Sequence, residues 1–106
     1  MRTLLKITVD VNAGNKAIID GTLGSTIQNL IQTLKPEADY YLSENGTRAA
    51  YIFFDMKDVS DIPVIAEPLF IRFNAKVEFI PAMNGNDLKK GLDRFSKAEK
   101  SEFAHN

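Results

Sequence analysis

Lys6, Tyr51 and Glu78 are the residues whose types come nearest to a chemical constellation in this chain. A carboxylate beside an ammonium and a phenol, in a partly dry cavity that raises its pKa, can move a proton at a small carbonyl or lactone. Tyr41 would add a second hydrogen-bond donor and Phe53 an apolar wall. The plainer reading is that Lys6 and Glu78, on neighbouring strands, neutralise one another. Glu67 precedes Pro68 and could turn inward beside a freed carbonyl, although helix glutamates are more often solvated. Arg72 and Asn74, at a helix–strand junction, could bind a carboxylate or cap a helix end.

Other chemistries find little support. The chain holds one histidine, His105, and no cysteine, so zinc and heme iron lack their usual ligands. Asp55, Asp58 and Asp61 are spaced as in a calcium loop but lack its glycine and closing glutamate, and read as turn and cap residues. "GTLGST", Gly21 to Thr26, lacks the lysine of a phosphate loop and does not follow a strand directly. No Ser-His-acid set can be assembled, and no metal or cofactor is expected.

The elements that must position these residues are legible from periodicity. Leu5, Ile7, Val9 and Val11 alternate with polar residues, as in a strand with one apolar face. From Asn12 the spacing becomes helical through Ile19, Leu23, Ile27, Leu30, Ile31 and Leu34. Gly21 and Gly24 predict a kink there, or a second helix starting near Leu23, and Pro36 ends the run. Asn45-Gly46 predicts a tight hairpin turn between strands two and three. Ser60 or Asp61 caps the next helix, with Pro63 in its first turn. In "IPVIAEPLFIRF", helical spacing persists across Pro68, which predicts a kink rather than a stop. Strand four covers Ala75 to Met83, and a last helix starts near Asn86 and reaches Phe95 or beyond. The order β-α-β-β-α-β plus a terminal helix predicts an α+β, ferredoxin-like fold with a four-stranded antiparallel sheet.

With 106 residues the chain fits one domain, expected over 1–95, followed by a polar tail over 96–106, frayed or docked on a partner. Thirteen basic and fourteen acidic residues give a net charge of -1, which disfavours nucleic acid and acidic membrane as partners. No apolar run approaches the ~18 residues of a membrane span. The first residues alternate instead of forming a signal-peptide core, so a soluble, cytoplasmic protein is expected.

In this fold the helices cover one sheet face. Strand three is apolar in both phases, so Tyr51 and Phe53 fall on the uncovered side with Lys6, Thr8, Tyr41, Lys76 and Glu78. An exposed aromatic patch of that size marks an interface or a ligand site. A second copy of the chain is the simplest cover, enclosing a small barrel between two sheets.

At this point Thr3 to Met83 resembles, in element order, the dimeric α+β-barrel superfamily, and most closely an uncharacterised group of small bacterial proteins. Phe54-Asp55, a helix, Pro68-Leu69-Phe70 and a returning strand are locally similar to muconolactone isomerases. The resemblance implies a fold and a homodimer. The functional expectation is a small-molecule-binding or interaction module. The alternative is a cofactor-independent isomerase or monooxygenase acting on a small cyclic or aromatic acid.

Overall fold

A computed structural model describes residues 1–103. The elements are β1 (Arg2–Val9), α1 (Val11–Ile19), α2 (Thr22–Leu34), β2 (Ala38–Glu44), β3 (Thr47–Asp55), α3 (Asp61–Phe73), β4 (Lys76–Pro81) and α4 (Gly85–Phe103). The fold is therefore α+β, the described residues forming four helices and a four-stranded antiparallel sheet in the order β2-β3-β1-β4.

β1 alternates as expected. Thr3, Leu5, Ile7 and Val9 are buried, and Arg2, Leu4, Lys6 and Thr8 are half-buried. The strand ends before Val11, not at it, because the Asp10 carboxylate accepts a hydrogen bond from the Ala13 N–H at 3.0 Å. That cap starts α1 at Val11. The expected break in the helical run falls at Gly21, whose φ of 81° favours a residue without Cβ. Asp20 accepts from both the N–H and the hydroxyl of Thr22, at 2.9 and 2.6 Å, and so restarts the chain as α2. Lys35, in the left-handed region, closes α2 immediately before Pro36.

Asn45 and Gly46 both have positive φ, 53° and 77°, as a two-residue hairpin with the right twist requires. The turn sets Glu44 opposite Thr47 and thereby the pairing of β2 with β3. α3 runs without interruption through Pro68 and buries Ile65, Ala66, Leu69 and Phe73. Leu5, Ile7, Ile52, Leu69 and Phe73 are almost fully buried at the centre of the core. Each such side chain contributes about 1.5–3 kcal/mol by leaving water.

α4, expected from near Asn86 to Phe95 or beyond, runs from Gly85 to Phe103 and so takes in residues 96–103 of the expected polar segment. Its start is a reciprocal cap: Asn84 Oδ1 accepts from the Asp87 N–H at 2.8 Å, and Asp87 Oδ2 accepts from the Asn84 N–H at 3.1 Å. The remainder of the anticipated tail, with His105, lies outside the described residues.

Candidate functional site

β1 and β3 lie in the middle of the sheet, and their second phase faces away from the buried core. The register aligns Lys6 with Tyr51 on one side and Glu78 on the other. The expected adjacency of these three residues is therefore present. Lys6 Nζ is 3.7 Å from Glu78 Oε2, a loose ion pair. Its nearer partner is Glu44, with Nζ 2.9 Å from Oε2. The Tyr51 hydroxyl donates a short hydrogen bond to Glu44 Oε1. Lys6 Nζ also stands 5.6 Å from the Tyr51 ring centroid, within reach of a cation–π attraction.

Glu44 thus links two partners, and its position in the sequence explains how. It is the last residue of β2, before the Asn45-Gly46 turn, in the same phase as Tyr40 and Leu42. Sequence reasoning passed over it because a glutamate beside a turn reads as solvated. Counting outward from the turn would have found it: pairing Glu44 with Thr47 places Tyr40, not Tyr41, opposite Tyr51. Tyr41 pairs with Ala50 in the other phase, so its expected place beside Lys6 is corrected, and Tyr40 takes that place. The Tyr41 hydroxyl instead donates to Asp39 Oδ2 at 2.8 Å.

The remaining candidates separate by position. Phe53 is half-buried on the open face, between Leu4 and Ala38. Glu67 and Arg72 are exposed on α3 and do not line the cleft at Lys6. Asn74 does line it, as the left-handed cap that ends α3, with its N–H bonded to the Phe70 carbonyl at 3.1 Å.

That cleft has a volume of about 690 Å³ and brings Lys6, Glu44 and Glu78 together with Asn74 and Lys76. Its size falls within the ~300–1,000 Å³ typical of small-molecule sites. A second cleft of about 680 Å³ lies at the opposite end of β1. There Arg2 is held by Glu37 and Asp87, both at 2.7 Å, and the Met1 ammonium by Asp55 at 2.6 Å. Those charges are paired with one another, and Lys35 lines the same cleft outside these pairs. Among the described residues no cluster of His, Cys, Asp or Glu has a metal-binding arrangement.

The electrostatics of the first cleft follow from its contacts. Hydrogen bonds from Lys6 and then Tyr51 hold the Glu44 carboxyl below its usual pKa. The same Glu44 contact raises Lys6 and Tyr51 above theirs. At neutral pH the set is an ammonium, a carboxylate and a protonated phenol, each fixed by the others. Glu78 adds a second carboxylate, 58% exposed on its side chain and held only by the 3.7 Å contact.

Comparison with family models, curated proteins and solved structures finds no match to this chain.

Proposed function

We propose that the chain is a ferredoxin-like protein whose open sheet face is covered by a second copy, and whose cleft at Lys6, Glu44 and Glu78, with Tyr51 bonded to Glu44 beside it, binds a small organic molecule. The strand order β2-β3-β1-β4 and the β-α-β-β-α-β sequence of elements support the fold assignment. Leu4, Tyr51 and Phe53, half-buried in the single chain, and Tyr40 and Leu42, exposed, support a covering copy, the two sheets facing each other as in a dimeric α+β barrel.

The observation that carries the binding reading is the direction of the pKa shifts together with the geometry. A catalytic base works best with a pKa near the working pH. Glu44 is shifted away from neutrality on the acid side, and Tyr51 and Lys6 on the basic side. Such a set orients a ligand better than it moves protons. Glu78 is the carboxylate left accessible, so the favoured ligand is a small ring compound carrying an N–H or O–H donor, with Asn74 and Lys76 available to its acceptors.

A thermal-shift screen of hydroxylated aromatic acids, lactones and cyclic amines tests this. A ligand that stabilises the wild type and fails to stabilise Glu78→Gln supports the site. Equal stabilisation of both proteins rejects it, as does the absence of any stabilising compound. Turnover of a hit that disappears in Glu78→Gln would transfer the protein to the enzyme reading. Sedimentation at micromolar concentration tests the covering copy, a dimer being expected.

A further inference from the structure

Among the described residues none of the well-packed pairs of elements includes α4, which meets the body of the chain at its root, where Asp87 bonds Arg2. The radius of gyration is 18.3 Å, against about 13 Å for a compact chain of this length. The longest dimension, 65 Å, is more than twice the next, 28 Å. Yet Leu88, Leu92 and Phe95 recur at helical spacing and are 47, 55 and 61% exposed. An isolated helix in water is marginal unless its apolar stripe is packed. A covering surface would supply that packing.

We infer that α4 clasps the β2 edge of a second copy of this chain, an inference that rests on the homodimer proposed above. β2 is an edge strand, with Tyr40, Tyr41 and Leu42 exposed on its two faces. Proteins commonly protect such an edge by laying a helix along it. The lengths agree: 7 residues of β2 extend roughly 23 Å and 19 residues of α4 roughly 28 Å. The chain does not cover its own edge, because the Asn84–Asp87 cap and the 2.7 Å Arg2–Asp87 bond pin the root of α4 while the helix runs out from the body. A two-fold pair covers both stripes and both edges at once.

At 3.6 residues per turn Lys89 borders the stripe, and Asp39 lies on the β2 edge. Glu99 continues the line of Leu88 and Leu92, a placement that an anionic membrane would repel. Area points to a second copy. The apolar side chains of the open face leave on the order of 400 Å² in water and the α4 stripe on the order of 300 Å² more. Together they approach the roughly 800 Å² per partner of a stable interface.

The chain has no cysteine, so introduced cysteines report single contacts. Tyr41→Cys and Leu92→Cys proteins, mixed and mildly oxidised, should give the mixed disulfide dimer in preference to either self-linked dimer. Lys97→Cys, on the opposite side of α4, should not link to Tyr41→Cys. Leu92→Lys should weaken the dimer about 10- to 100-fold by sedimentation, and Lys97→Glu should leave it unchanged. A monomeric wild type overturns both the covering copy and the clasp. A dimer without the mixed disulfide, or with Leu92→Cys linked mainly to itself, overturns the clasp alone. Flotation of the wild type with anionic vesicles, abolished by Leu92→Lys, would assign α4 to a membrane surface and also overturn it.

Discussion

Lys6 and Glu44 are joined at 2.9 Å although their strands are not neighbours: β3 runs between β1 and β2, and the bond crosses it above Tyr51. The Tyr51 hydroxyl, bonded to the other oxygen of Glu44, completes a link across three strands on the face without helices. Glu44 therefore decides where the Lys6 ammonium stands. Removing it would leave Lys6 to Glu78 at 3.7 Å and move the positive charge toward β4.

That linkage makes stability depend on pH at both ends. The Glu44 pKa is lowered from 4.5, so its contribution is complete above that value and is lost as pH falls through the lowered pKa. Lys6 and Tyr51 are raised from 10.5 and 10.0, so theirs is complete below about pH 10 and is lost as pH rises through the raised values. Glu44→Gln should flatten both limbs. The difference in melting temperature between wild type and variant should be largest near neutral pH and shrink as pH moves into the acid and the alkaline range. Parallel curves would remove Glu44 from its central place.

Tyr41 offers a separate optical test. Partial desolvation of this half-exposed side chain pushes its pKa up to about 12, and the hydrogen bond to Asp39 adds to the shift. Asp39→Asn should lower this phenolate step only in part, since desolvation is the larger cause. Tyr41→Phe should remove it. Ultraviolet titration of phenolate absorbance reads both outcomes, and full return of the step to the ordinary tyrosine value in Asp39→Asn would contradict the order of causes.

What was legible in the sequence follows from which signals are local. Alternation in Leu5, Ile7 and Val9 and helical spacing from Ile62 to Phe73 each reflect burial against one core, so both elements could be read without partners. The hairpin was legible because Asn45 and Gly46 tolerate positive φ. The error at Tyr41 was one of parity: a shift of one residue exchanges the two faces of a strand. Glu44 was missed for a different reason: counting from the turn puts it on the face of Tyr51, but its bond to Lys6 spans two strands and depends on the folded register. The end of α4 was left open beyond Phe95 because the sequence after it is mostly polar and offers no apolar period to follow.

Pro68 permits a prediction with a magnitude. It interrupts the hydrogen bonding of α3 at the carbonyl of Val64, yet the helix continues to Phe73. A proline inside a helix costs about 3 kcal/mol relative to alanine, partly offset by about 0.4–1 kcal/mol from stiffening the unfolded chain. Pro68→Ala should therefore stabilise the protein by about 2–2.6 kcal/mol, seen as a higher urea midpoint with unchanged slope. Destabilisation would mean that a bend at Pro68 is needed to seat Leu69 and Phe73 in the core.

Asp55 closes the other end of the sheet. It meets Lys57 Nζ and the Met1 ammonium, each at 2.6 Å, and these contacts, Lys57 first, hold its pKa at about 2. The stabilisation it supplies is complete above the ordinary value of 3.8 and fades as pH falls toward about 2. All three groups are exposed, so salt should weaken the effect. Lys57→Ala should raise the Asp55 pKa only part of the way, because the Met1 contact persists. Asp55→Asn should remove this component of acid sensitivity altogether and leave Met1 held by the Met56 carbonyl at 2.8 Å. Carboxyl titration by NMR, at low and at high salt, separates the two cations: if Lys57→Ala returns Asp55 fully to 3.8, the terminal ammonium contributes nothing to holding the ends of β1 and β3 together.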